Sequence, residues 1–379
     1  MYRKNNTVYI IVALILTLLL SAISAYAAAE ASKSPNVSAK SAALYQPDSN
    51  TFLFRKNSDT KMPMASTTKI MTALVAIEGC EDLDTPLPVS DECIGTEGSS
   101  AYLRSGDKVT MRELLYALML QSANDAAVEI ALRVGGDVPC FADMMNGRAE
   151  EIGLTKTNFK NPHGLDDAEH YTTAEELAKI AAEALKNDLF LEICSTYKKS
   201  ITTNERRRTY VNHNKLLLRY DGALGVKTGY TKKCGRCLVG CAERDGLRCI
   251  TVTLDAPDDW NDHEKMLDFG FSQMEMLTLA SPYEYSYEIS TLNGEKIKVA
   301  NTDSLSFPVY RGSYSLKSHV ELKPYLTSAV KANEQVGRVI FKIDGKTVGE
   351  LAILALEESG DPKQRKGIKL FNFFRKAKD

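Results

Sequence analysis

Short β-like runs stand at both ends of a long helical stretch, and this order restricts the fold more than any other feature of the chain. Residues 42–55 (AALYQPDSNTFLFR) read as a strand, a turn at 47–50 and a returning strand. From residue 66 to about 188 apolar residues recur at helical offsets, as in Ile70, Leu74 and Ile77. Thr110-Met111-Arg112-Glu113 is a capping box ahead of the apolar run 114–120, and 125–133 and 173–185 continue the helical pattern. Beyond Glu192 the runs 197–203, 225–230, 237–242 and 247–254 are short, β-like and separated by turns, and 261–276 returns to a helix. Strand groups so far apart bury their apolar faces by sharing one sheet, with the helices clustered between them. The expected class is α+β.

The texture changes at Pro282. Tyr, Val, Ile and Ser alternate with Lys and Glu, and Asn293-Gly294 and Asp344-Gly345 mark hairpins. Residues 283–357 therefore read as a separate small all-β domain after an α+β body at 41–280, and 379 residues suit about two domains. The ends differ from both. Residues 1–27 have the form of an export signal: Arg3 and Lys4, an uncharged apolar run at 8–20, then Ala25-Tyr26-Ala27. An uncleaved N-terminal anchor is the alternative, and either way the remainder is exported. Residues 28–40 read as a small, polar linker. The segment 358–379 reads as a basic amphipathic tail. Its last 19 residues hold seven Lys or Arg against two Asp, with Leu370, Phe371 and Phe374 on one helical face. Too short to span a bilayer, it suits an anionic membrane surface, the plainer alternative being a solvated tail. With 47 basic and 49 acidic residues the chain has no global field for nucleic acid.

Three short pieces carry chemistry. Ser66-Thr67-Thr68-Lys69 opens a helix, where side chains three apart share a face, so Lys69 can take the Ser66 proton. Backbone N–H groups at a helix start also favour an oxyanion nearby. Ser122-Ala123-Asn124 lies where one helix ends and another begins, so its hydroxyl and amide can face one cleft; the alternative is a plain turn with Asn124 or Asp125 as a cap. Lys227-Thr228-Gly229, followed by Tyr230, lies in a β run. Lys227 offers a positive charge, Thr228 a hydroxyl, and Gly229 lets an extended peptide approach the strand. Alone, each piece is weak. Together they stand about 55 and then 105 residues apart, in the order that marks penicillin-binding proteins and class A β-lactamases.

On these residues, and on 99–107 (SSAYLRSGD) and 161–166 (NPHGLD), the stretch 40–275 resembles the serine-type D-alanyl-D-alanine carboxypeptidases. The resemblance is to the low-molecular-weight penicillin-binding proteins, close to the penicillin-binding protein 5 group. The middle piece reads S-A-N, not S-D-N, which favours this group. The resemblance implies a β-lactamase-like catalytic fold, an antiparallel sheet with a helical cluster. It makes Ser66 the nucleophile, Lys69 its general base, Ser122 the proton relay and Asn124 the residue that orients Lys69 and substrate. It gives Lys227 and Thr228 the substrate carboxylate, with Gly229 and Tyr230 beside it, and puts the oxyanion in the N–H groups of Ser66 and Tyr230. It implies no metal and no organic cofactor. The partners it implies are stem peptides ending in D-Ala-D-Ala and β-lactams as inhibitors, at the outer face of the cytoplasmic membrane or in the wall, with a role in wall maturation and cell shape. His163 becomes a structural loop residue, and His213 lies where relatives can carry an Arg near the substrate carboxylate.

Two other readings remain. A class A β-lactamase needs a Glu in an E-x-x-x-N context, and Glu150 and Glu151 lack that Asn. A non-catalytic wall-binding scaffold would carry a degenerate site. The cysteines leave three options. Cys234, Cys237, Cys241 and Cys249 are buried thiols, a disulfide or half of a metal site, and Cys80 and Cys93 flank a loop across which they can pair.

Overall fold

The structure, a computed structural model, describes residues 34–359 except 204–205, 313 and 327–329, together with Val12. Apart from Val12, the export signal lies outside the described residues, as does the basic tail beyond Ser359. The chain divides into two units, Met1–Gln273 and Met274–Asp379.

In the first unit, strands β1 (Ser41–Gln46) and β2 (Thr51–Lys56) join through the expected turn, closed by the Asn50 N–H on the Pro47 carbonyl at 3.1 Å. Two short pairs follow at β3 (Leu87–Pro88) with β4 (Lys108–Val109) and β5 (Lys198–Thr203) with β6 (Arg206–Val211). Strands β7 (Ala223–Thr231), β8 (Gly235–Arg244) and β9 (Leu247–Leu254) then complete an antiparallel sheet in the order β2-β1-β9-β8-β7. The two ends of the unit do share one sheet. The run near 197–203 does not join it; it forms the separate β5–β6 hairpin, whose second strand carries Arg206, Arg207 and Arg208.

The helices are α1 (Lys69–Gly79), α2 (Met111–Leu120), α3 (Asn124–Gly135), α4 (Val138–Glu151), α5 (Ala174–Ala184), α6 (Asp188–Ser195), the single turn α7 (Leu216–Arg219) and α8 (Asp259–Gln273). Lys69 to Ala76 of α1 are all buried, with α2, α3, α4 and α5 around them. Thr110 and Glu113 make the capping box that starts α2. Alternation along β9 serves both faces of the sheet. Ile250, Val252 and Leu254 enter the main core, while the Thr251 and Thr253 hydroxyls meet His263 of α8 at 2.7 and 2.9 Å.

The second unit begins earlier than the sequence suggests. Helix α8 stops at Gln273, and β10 (Met274–Ala280) pairs with β13 (Leu305–Tyr310). Met, Glu and Leu are good helix formers, so local propensity extends the helix to 276 and the body to 280. Pairing with a distant strand overrides it. Strands β11 (Ser286–Ser290), β12 (Lys296–Ala300), β14 (Leu316–Leu322), β15 (Gln335–Ile343) and β16 (Lys346–Ala355) form a sheet in the order β11-β12-β16-β15-β14. Its core holds Ile297, Val299, Val339, Phe341 and Ile353. Asp344 and Gly345 both take positive φ, 50° and 81°, as a two-residue hairpin turn requires.

Candidate active site

Ser66 lies in a 3-10 turn, Ala65–Thr68, that leads into α1 rather than in the helix itself. Ala65 before it holds φ +47°, a conformation that side chains with a Cβ adopt at a cost and that clusters at functional sites. The loop at 161–165 presses on this turn. A Cβ on Gly164 would come within 2.0 Å of the Ala65 carbonyl oxygen, so that position requires glycine. From below, His170 Nε2 meets the Thr68 hydroxyl at 2.7 Å, while its Nδ1 accepts the Lys160 N–H at 3.0 Å. His170 therefore donates through Nε2, and Thr68 passes its own proton to the Ala65 carbonyl at 2.7 Å.

Lys69 is fully buried. Its Nζ lies 3.0 Å from Ser66 Oγ, 2.7 Å from Asn124 Oδ1 and 2.6 Å from the His163 carbonyl oxygen. Both carbonyl oxygens can only accept. A neutral amine has two N–H groups for them and one lone pair left for the Ser66 hydroxyl. The surroundings favour that neutral form: burial first, then the Lys227 charge, push the Lys69 pKa well down against the opposing pull of Asp125.

Asn124 is the first residue of α3, and its Nδ2 donates to the Glu97 carbonyl at 2.5 Å, which fixes Oδ1 toward Lys69. Asp125 is not a helix cap. Its carboxylate accepts from Ser100 Oγ and from the N–H groups of Ala101 and Leu103, and so pins the loop that borders the site. Arg208 grips the same loop through the Ala101 and Tyr102 carbonyls, and Arg206 pairs with Asp107. Ser122, at φ +59°, joins α2 to α3 and faces the cleft.

The opposite wall is β7, the edge strand of the sheet. Gly229 packs its backbone on the turn that holds Ser66; a Cβ there would sit 3.0 Å from the Ser66 nitrogen and 3.1 Å from that of Thr67. Lys227 is 1% exposed, and its Nζ donates to the Thr228 carbonyl at 3.0 Å. Burial lowers its pKa to about 7. The cleft between the walls has a volume of about 330 Å³ and is lined by Ser66, Ser122, His213, Thr228, Tyr230 and Arg236, among others.

The structure thus gathers Ser66, Lys69, Ser122, Asn124, Lys227, Thr228, Gly229 and Tyr230 around one cleft. His163 contributes its backbone carbonyl; burial, Lys69 and His170 lower its ring to a pKa of about 3. His213 does reach the cleft, where burial and Lys227 lower its pKa. Sequence reasoning missed Arg236, which lines the cleft while paired to Asp259 at 3.0 Å. The sequence carries no signal for it, because its place across from Tyr230 is set by strand register. Glu150 and Glu151 stand exposed at the end of α4 and do not line the cleft. Among the described residues no cluster of side chains is suited to hold a metal ion, and all eight cysteines are free, Cys80 and Cys93 included.

Comparison with known proteins gives the same picture. Residues 28–258 match the family model described as D-alanyl-D-alanine carboxypeptidase, and 284–360 match the penicillin-binding protein 5 C-terminal domain. D-alanyl-D-alanine carboxypeptidase DacF of Bacillus subtilis (strain 168) is 31% identical over 332 residues, covering 84% of this chain and 85% of that protein. DacC of Escherichia coli (strain K12), of the same name, is 32% identical over 361 residues, covering 90% and 89%. The crystal structure of DacD from Francisella tularensis superposes with a TM-score of 0.63 at 26% identity, covering 87% of this chain and 95% of that one.

Proposed function

The chain belongs to the D-alanyl-D-alanine carboxypeptidase family, and from that premise we propose that its cleft removes the terminal D-Ala of peptidoglycan stem peptides through an acyl-enzyme on Ser66. The observation that carries this reading is the setting of the Lys69 amine, with two carbonyl acceptors and one lone-pair direction facing Ser66 Oγ. Lys69 takes the hydroxyl proton as Oγ attacks the penultimate D-Ala carbonyl. The oxyanion is held by the N–H groups of Ser66 and Tyr230. Ser122 relays the proton to the departing D-Ala amine, Asn124 keeps Lys69 aimed, and a water later splits the acyl ester with Lys69 again as base.

Lys227 receives the substrate carboxylate. Among the described residues Thr228 O is the acceptor that reaches its ammonium, so two N–H groups remain for a ligand. An arriving carboxylate favours the charged amine. Thr228 adds a hydroxyl, and Gly229 keeps the strand edge low enough for the peptide to lie alongside it. A β-lactam enters as a mimic of the same carbonyl. The scaffold reading fits poorly with a fully buried lysine held in reacting geometry, and the β-lactamase reading lacks a carboxylate poised for deacylation.

Mass spectrometry after exposure to penicillin, and after incubation with a D-Ala-D-Ala pentapeptide, tests the proposal. An adduct on the peptide containing Ser66 and release of one D-Ala are expected, and Ser66→Ala loses both. An adduct elsewhere, or D-Ala release by S66A, would sink it. We further place the enzyme at the outer face of the cytoplasmic membrane, through the signal at 1–27 and the basic tail at 358–379, with a role in wall maturation and cell shape. Deleting 361–379 should release active protein from membranes; a truncated form that still pellets with them counts against the tail.

A further inference from the structure

The hairpin that carries Lys227 turns through Lys232 and Lys233 into Cys234-Gly235-Arg236-Cys237, whose two thiols the reaction leaves unused. Cys234 is 2% exposed and Cys237 1%. Gly235 makes the corner at φ +68°, where a Cβ would lie 2.2 Å from Asp255 Oδ1, so the turn that brings the sulfurs together has little freedom. The side chains of Cys234 and Cys237 interact at this corner. Cys237 is the cross-strand partner of Gly229, and its sulfur reaches the Pro63 carbonyl at 4.0 Å. The pair therefore braces the segment that leads into Ser66. The Thr231 hydroxyl accepts the Cys234 N–H at 3.0 Å and gives its proton to Asp166 at 2.9 Å, tying the same corner to the loop beside the nucleophile. The two thiols are unequal: the Cys237 hydrogen bond holds Cys234 below the ordinary thiol range, while donating that bond, and then burial, push Cys237 up.

We propose that Cys234 and Cys237 form a redox modification site, a dithiol that a small disulfide of the glutathione class converts to an internal disulfide, slowing acylation of Ser66. The Cys234 thiolate attacks one sulfur of the external disulfide and releases one thiolate, leaving a mixed disulfide. Cys237 gives its proton to solvent, and its sulfur displaces the second thiolate as the internal bond closes. The protein loses two electrons and two protons, and the external disulfide becomes two thiols. The exposed Lys232 and Lys233 lie at the hairpin end, whose local opening admits the oxidant. Once oxidised, Cys237 no longer has a thiol hydrogen for the Pro63 carbonyl, and the segment that leads into the nucleophile loses that hold.

The test uses the full-length protein and oxidised glutathione. Trypsin cuts after Lys233 and Arg236, so peptides 234–236 and 237–244 stay joined only through a disulfide, and fragmentation distinguishes Cys237 from Cys241. We expect the joined pair, its loss on reduction, and fluorescent-penicillin labelling slowed about three- to tenfold by oxidation, the worth of one hydrogen bond. Reduction restores the rate, and the C234S/C237S double variant labels at a rate that oxidation does not change. If that variant fails to fold, Cys237→Ala alone serves, because it traps the mixed disulfide on Cys234. Both thiols still alkylatable after oxidation, or a joined pair with an unchanged labelling rate, overturns the proposal. The labelling arm rests on the Ser66 reading and the peptide map does not. Absence of label in both redox states would sink Ser66 as the acylated residue, and the map would still decide the cysteine assignment.

Discussion

Among the described residues, Met1–Gln273 buries Lys69, Asp125, Glu129, Lys227 and Asp262, whereas the buried polar side chains of Met274–Asp379 are the uncharged Thr291, Asn301 and Ser359. In the second unit the ion pairs stand in solvent, as with Arg338 between Glu321 and Glu350. Burying a charge costs stability unless partners meet it, so a unit that buries several has been shaped by more than stability. The first unit divides again. Asp125 accepts three hydrogen bonds from the loop it pins, and Glu129 meets Arg133 at 2.7 Å and the Ser90 N–H at 3.0 Å. Lys69 and Lys227 are instead buried amines whose ordinary charged state is disfavoured. Asp125 pins the loop that borders the cleft and Glu129 holds the chain at Ser90, while in the proposed reaction the two lysines supply the reactivity.

Removing a reactive lysine gives the largest effect. Lys69→Ala should slow acylation by fluorescent penicillin roughly 10²–10⁴-fold, the range for a lost general base, with little change in melting temperature. Near-normal labelling of that variant would move Lys69 into the class of Asp125. Lys227→Ala should cost about 10²-fold, the order of one lost electrostatic contact in a site, and only with substrates that carry a free terminal carboxylate. Equal rates on free and amidated termini would break the assignment. The pH profile sharpens it. Lys69 must be neutral to accept a proton, so kcat/KM rises with pH through its lowered pKa. Lys227 must be charged to hold the carboxylate, so kcat/KM falls as pH rises past about 7. In K227R the guanidinium stays charged and the alkaline limb should move upward; an unmoved limb would assign it to another group.

How much of this the sequence carried follows from which interactions have a side-chain signature. Ser66, Lys69, Ser122, Asn124 and Lys227 were legible because their chemistry needs fixed residue types at fixed spacing. The capping box at Thr110 and the hairpin turn at Asp344-Gly345 were legible for a local reason, since each is closed within a few residues. The His163 carbonyl was not, because any residue has one and only the fold aims it at Lys69. Asp125 looked like a cap because its real partners, residues 100–103, are brought to it by the tertiary fold. Met274–Met276 reads as helical because its β partner lies some thirty residues away, a distance over which local propensity says nothing. Arg236 lines the cleft only because β8 runs beside β7, a register that no motif encodes.

The structural half of the comparison predicts smaller effects. Arg133→Ala leaves Glu129 buried with the Ser90 N–H but without its cation, and should cost about 3 kcal/mol in thermal or denaturant unfolding. A loss of well under 1 kcal/mol would mean that water reaches Glu129 and that its burial is not a constraint. The smallest effect belongs to the second unit. Arg338 donates to Glu321 at 2.8 Å and Glu350 at 2.9 Å across neighbouring strands, a geometry as good as that of Arg133. It is nonetheless solvated, so the carboxylates left behind by Arg338→Ala regain water and little is lost. The melting temperature of that variant should match wild type within about two degrees, and raising the salt should not change the difference. If Arg338→Ala unfolds as readily as Arg133→Ala, exposure does not separate the two units, and the buried charges of the first need not mark its function.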